Sequence, residues 1–103
     1  MADDNPALWE KVHLAGFHEV DSSTMAVLKK IIGNHARRIL ELAKNMQEIH
    51  ITLKPIHQRE KSEKYEIHAK VIDNGKAYLS KVTERNLLAA LDNALNKLIN
   101  EMD

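Results

Sequence analysis

Five cations fall within one short stretch of this 103-residue chain: Lys29, Lys30, Arg37, Arg38 and Lys44. Between residues 22 and 47 only Glu41 opposes them, a local charge of +4. Residues 1–21 carry the opposite imbalance, −4, with Asp3, Asp4, Glu10, Glu19 and Asp21 against Lys11. The whole chain is neutral, with 15 Lys and Arg and 15 Asp and Glu. A partner feels the local field more than the net charge. On a helix, at about 100° per residue, Lys30, Arg37 and Lys44 form one stripe, with Arg38 and Glu41 beside it and Lys29 at its flank. Phosphate oxygens accept from such donors, and Arg can hold them through two parallel hydrogen bonds. Folded RNA is read in this way, by shape and phosphate contact. Arg85 and Lys97 extend the patch if the last helix lies alongside. The plainer alternative is a solvated helix face that is basic without a partner.

Histidines are the second group with chemical capacity. Alternation places His13, His50 and His68 on one sheet face, on three neighbouring strands. Three imidazoles in register can hold zinc, although exposed strand residues without a ligand explain them more simply, and no metal is assigned. Protonation near pH 6 would make that face more cationic. His35 falls on an apolar helical stripe and reads as a hydrogen-bonded core residue. His18 and His57 lie near element ends and suggest nothing further. Catalysis finds little support. There is no cysteine, no glycine-rich phosphate loop and no serine in a nucleophile motif; Ser22 and Ser23 suit a helix cap. Tyr65 and Tyr78 alternate inward, so no aromatic platform for single strands is offered. Trp9 is expected to pack over the sheet edge.

The elements that must position these residues are legible from periodicity. Lys11 to Gly16 alternates and predicts a first strand. Asp21, Ser22 and Ser23 offer N-cap oxygens. Leu28, Ile31, Ile32, His35, Ile39, Leu42 and Met46 then follow helical spacing for about five turns, with Gly33 inside costing about 1 kcal/mol against alanine. Ile49, Ile51 and Leu53 predict a second strand, with pairing weakened at Pro55. His57 to Lys64 is a charged connection. Tyr65, Ile67, Ala69 and Val71 predict a third strand. Asp73-Asn74-Gly75 marks a type I′ hairpin turn, and a fourth strand runs from Ala77 to about Val82. Asn86 caps a last helix with the stripe Leu88, Leu91, Leu95, Leu98 and Met102.

The fold class is therefore α+β. The order is β-α-β-β-β-α, with a four-stranded mixed sheet and two helices on one face, double-stranded-RNA-binding-domain-like. A right-handed crossover makes strands one and two parallel. Residues 1–10 read as an acidic leader and 11–103 as one domain. Apolar residues make up 44% and charged residues 29%, ordinary for a soluble domain. No apolar run approaches the roughly 20 residues of a membrane helix. The acidic N-terminus is unlike a signal peptide, so a cytoplasmic protein is expected, without a membrane or small-molecule partner.

With these residues in this order, the chain resembles the ribosome hibernation promoting factor family, which includes the ribosome-associated inhibitor A proteins. The resemblance runs from about Val12 to Met102. It is carried by Val12-His13-Leu14-Ala15-Gly16, Ile51-Thr52-Leu53-Lys54, Asn74-Gly75, the run Thr83 to Asp92, and Lys97-Leu98. Asn86 stands where that family has a capping Asp, Leu88 where it has Tyr, and Leu91 where it has Ile. The resemblance implies a domain that binds small-subunit ribosomal RNA in the channel of messenger and transfer RNA and blocks translation under stress. It implies basic helix residues as the contacts, no catalytic activity and no cofactor. Two features depart from the family. The chain ends Asn100-Glu101-Met102-Asp103 rather than in several Lys and Arg, and it stops before the dimerising domain of longer members, so paired ribosomes by that route are not expected; a monomer or weak homodimer is expected. The alternatives are a protein-interaction or homodimerisation module using an exposed sheet edge, and a conventional double-stranded RNA-binding domain. The latter usually begins its last helix with lysines, unlike Thr83-Glu84-Arg85-Asn86 here.

Overall fold

A computed structural model describes residues 6–57 and 63–103. Its elements are α1 (Pro6–Trp9), β1 (Val12–Ala15), α2 (Ser22–Leu42), β2 (Met46–His57), β3 (Glu63–Asp73), β4 (Lys76–Glu84) and α3 (Leu87–Met102). The sheet order is β1-β2-β3-β4. β1 pairs parallel with β2, and the other two pairs are antiparallel. This is the mixed sheet expected from the sequence, with one addition. Within the stretch read as a leader, α1 inserts Leu8 into the core and lays Trp9 against it.

Asp21 caps α2 by accepting from the Thr24 N–H at 3.0 Å. Leu28, Ile32, Ala36 and Ile39 then form its buried face. The helix ends at Leu42 and does not reach Met46, contrary to the expected stripe. Ala43 turns extended, and the next two amides, Lys44 N–H and Asn45 N–H, donate to the Asp73 carboxylate at 3.2 and 2.7 Å. Met46 is buried as the first residue of β2, so its apolar character serves a strand. Lys44 is consequently not on the helix.

In β2, Ile49, Ile51 and Leu53 face Val71, Ala69 and Ile67, and all six side chains are buried. Pairing with β3 does not weaken at Pro55. It runs through Pro55↔Tyr65 to His57↔Glu63. The reason lies in the direction of the amides. Ile49 N–H donates towards β1, to Lys11 O at 2.8 Å, and backbone direction repeats every second residue. The nitrogen of Pro55 therefore also points to the β1 side, past Ala15, where β1 has ended. The missing donor costs β3 nothing. Of the charged connection, residues 58–62 lie outside the described residues.

The β3–β4 turn has Asn74 at φ 53° and Gly75 at φ 85°, the positive pair a type I′ turn requires. It is tied back to the start of β2, with Asn74 N–H donating to Asn45 O at 2.8 Å and Gly75 N–H to Gln47 Oε1 at 2.7 Å. In α3 the Asn86 side chain accepts from Ala89 N–H at 2.9 Å. Its buried face is Ala90, Leu91, Ala94, Leu95 and Leu98, while Leu88, expected inside, is 37% exposed. The two alanines bring α3 close to the sheet, close enough for Ser80 Oγ to donate to Ala94 O at 2.7 Å.

Both long helices share one core with the inward residues of the sheet. The other sheet face is polar and at least partly exposed, as alternation requires when one face is wet. Gly16 closes the turn after β1. Its φ is +85°, and a Cβ there would sit 2.1 Å from Leu53 O. Gly75 has the same φ with nothing within 4 Å. Gly75→Ala is expected to lose only the left-handed backbone preference, about 1–2 kcal/mol, and Gly16→Ala distinctly more. Denaturant midpoints of the two variants measure the difference.

Candidate nucleic-acid interface

On α2, the centre of the buried face is opposed by Lys30, Asn34, Arg37 and Glu41, at about 100° per residue. Lys30 is exposed and Arg37 half-buried. Arg37 Nη2 donates to Asn34 Oδ1, which orients the guanidinium along the helix surface. Lys29 and Arg38, nine positions apart, fall about half a turn from each other and occupy opposite flanks of this face. Arg38 Nη1 donates to Glu41 Oε1 at 3.3 Å in an exposed pair. Such pairs are worth about 0–1 kcal/mol, so a phosphate can displace Glu41 at small cost. Lys44 is exposed in the turn after α2 and stands beside the helix end.

The last helix does not extend the row as expected. α3 meets α2 through His35, whose Nδ1 lies 2.8 Å from Ile31 O and whose Nε2 lies 3.2 Å from Asn96 Oδ1 and 3.3 Å from Asp92 Oδ1. This is the hydrogen-bonded histidine anticipated from its place on the stripe. The flank of α3 towards α2 is therefore occupied by Asp92 and Asn96. Lys97 belongs to the other flank, where its Nζ donates to Lys81 O of β4 at 3.3 Å and Asn93 donates to Glu84 at 3.0 Å. Arg85 is exposed in the bend before α3. Lys29, Lys30, Arg37 and Arg38 are thus held by one helix, with Lys44 at its end. Lys97 stands apart on the β4 flank of α3, and Arg85 lies in the bend that precedes that helix.

The open sheet face sorts its histidines differently from the expected trio. His13 and His50 are register partners, their rings stacked at 4.7 Å and 20°. His68 lines up instead with Thr52 and Lys81. Each strand-centre histidine bonds an acid two residues earlier: His50 Nε2 to Glu48 Oε1 at 2.6 Å, and His68 Nε2 to Glu66 Oε2. The hydrogen bond from His50 holds the Glu48 carboxyl below its ordinary range against partial burial, with His50, His13 and Lys70 helping electrostatically. The hydrogen bond from His68 does the same for Glu66, with Lys81, His68 and Lys54 nearby. Glu48 was not singled out by sequence reasoning. The repeated Glu-x-His spacing of Glu48–His50 and Glu66–His68 was the available signal. One ligand atom from each of His13, Glu48 and His50 lies within 4.8 Å of the others. Leu79, 65% exposed, shares this face across from Lys70.

A carboxyl with a lowered folded value stabilises the fold above its unfolded pKa, and the gain is lost as pH falls through the folded value. Glu66 is therefore expected to titrate below 4.5, with this contribution to stability disappearing in that acid window. In His68→Ala its midpoint, followed by carboxyl NMR, should return towards 4.5.

No family model and no curated protein matches the chain. Solved structures do. A ribosomal subunit interface protein from Coxiella burnetii superimposes with a TM-score of 0.59 and 14% identity, covering 88% of this chain and 91% of its own. The N-terminal domain of Protein Y from Thermus thermophilus gives a TM-score of 0.57 at 14% identity, with the same 88% and 91% coverage. The chain shares the fold of these two proteins over nearly its whole length.

Proposed function

We propose that this chain is a ribosome-associated translation inhibitor of the hibernation-factor type, seated on small-subunit ribosomal RNA through the outward face of α2. The observation that carries the reading is the likeness of fold, over 88% of the chain, to a protein named for the ribosomal subunit interface. The sequence resemblance over Val12 to Met102 points the same way independently of the superposition. The chemistry is also suitable. A rigid helix of 21 residues holds Lys29, Lys30, Arg37 and Arg38, and Lys44 follows at its end. In this reading Arg37 and Arg38 grip phosphates bidentately, and the lysines supply point charges. Arg85 makes a separate contact. Lys97, turned towards β4 through its bond to Lys81 O, keeps two N–H donors for a contact on that flank. The protein acts by occupancy in the cytoplasm, without catalysis, cofactor or small-molecule substrate. Glu101 and Asp103, at the end of α3, must face away from the RNA.

Four to six phosphate contacts imply a steep salt dependence. By the duplex-DNA rule, affinity falls about 10²–10³-fold between 50 and 200 mM salt. The test is co-sedimentation of the chain with purified small subunits at two salt concentrations. Wild type should pellet at low salt and be released at high salt. The variant Lys30→Glu, Arg37→Glu, Arg38→Glu, Lys44→Glu should stay in the supernatant at both while keeping its circular dichroism spectrum. Equal pelleting of wild type and this variant would discard the α2 face. A dimer in gel filtration, with no ribosome binding at any salt, would favour association through a sheet edge.

A further inference from the structure

The geometry points to a transition-metal site on the open sheet face, in which His13, Glu48 and His50 bind a divalent ion of the zinc class. It is independent of the proposed ribosome contact, which uses the opposite side of the molecule. Two imidazoles and one carboxylate are a common zinc donor set, and with three protein ligands a fourth position remains for water or an external ligand. Imidazole nitrogen also suits nickel and copper, whereas calcium and magnesium prefer all-oxygen sites.

The donors are gathered by backbone register. His13 and His50 occupy paired positions of β1 and β2, and their rings already stack at 4.7 Å. Glu48 lies two residues before His50 and so projects from the same face, where its Oε1 is 2.6 Å from His50 Nε2. A tetrahedral ion with ligand bonds of 2.0–2.2 Å places its donors about 3.3–3.5 Å apart. The three donors here lie within 4.8 Å of one another. A ring nitrogen's lone pair lies in the ring plane, so at least one of the two stacked rings must turn out of the stack to aim at the ion, a side-chain rotation that leaves the strand pairing in place. The ion would replace the proton between His50 and Glu48. Around the site, Thr52 and Ala15 follow on the two strands, Ile72 is across from Glu48, and Lys70 is across from His50. The Lys70 ammonium acts electrostatically on Glu48, so the ion must compete with it, while His13 is exposed and open to solvent.

The same sheet supplies its own control. Glu66 and His68 repeat the Glu-x-His bond on β3, but His68 has Thr52 and Lys81 as cross-strand neighbours. A Glu-x-His pair alone gives two ligands. The pair beside a cross-strand histidine gives three.

The test titrates ZnCl₂ into the untagged full chain in a non-chelating buffer, followed by calorimetry, imidazole NMR and thermal melting. One equivalent is expected to bind, shifting the ring signals of His13 and His50 but not of His68 and raising the melting temperature by joining β1 to β2. His13→Ala and Glu48→Gln should each weaken binding by more than about tenfold, a loss that even an outer-shell partner can cause. His68→Ala should bind as wild type. No saturable binding, binding that survives in His13→Ala, or binding lost equally in His68→Ala would each overturn the site. Because all three substituted side chains lie on the wet face, the metal-free melting temperature reports separately on folding.

Discussion

The Asp73 carboxylate is the one buried charged group among the described residues. A charge taken from water must be hydrogen-bonded in return, and the amides of Lys44 and Asn45 do this. The contact joins the end of β3 to the turn between α2 and β2. It stops the helix and starts the strand, and a one-residue register shift between Met46 and Glu48 then separates it from the regular pairing of β2 with β3. The hairpin turn then locks onto the same place through Asn74 and Gly75. The alignment of His13 with His50 comes from the parallel pairing of β1 with β2 that starts just beyond this clasp.

A sheet covered on one side divides the molecule into two working surfaces. The helical side buries the apolar stripes of α2 and α3 and turns the cations of α2 outwards. The strand side carries alternating imidazoles, carboxylates and ammonium groups. Fixed positive charge suits a polyanion, and close donors of mixed type suit a metal ion. The two surfaces are connected only through the core, which is why a charge reversal on α2 can test one without disturbing the other.

What was legible in the sequence was local. The caps at Asp21 and Asn86, the positive φ pair at Asn74 and Gly75, and the alternation of Ile49 to Leu53 need only neighbours within a few residues. The strand order followed from chain connectivity. Contacts between distant residues were harder to see. Met46 continues the helical period, and only Asp73, on another strand, ends the helix before it. Leu88 looks like a core leucine until Ala90 and Ala94 let the helix turn closer to the sheet. Lys97 has the spacing of a patch residue, but α3 offers α2 its Asp92 and Asn96 flank instead. Glu48 gains its chemical meaning only from the cross-strand register of β1 and β2.

The bond from Lys97 to Lys81 has a consequence for assembly. β4 is the outermost strand on its side and nine residues long, the kind of border on which another chain could continue the ladder. Lys97 already engages one of its backbone acceptors, and the strand's own Lys76 and Lys81 place charge along it. The opposite border, β1, is four residues long and too short to template much. Charge along one margin and the shortness of β1 at the other are both features that disfavour adding a further strand.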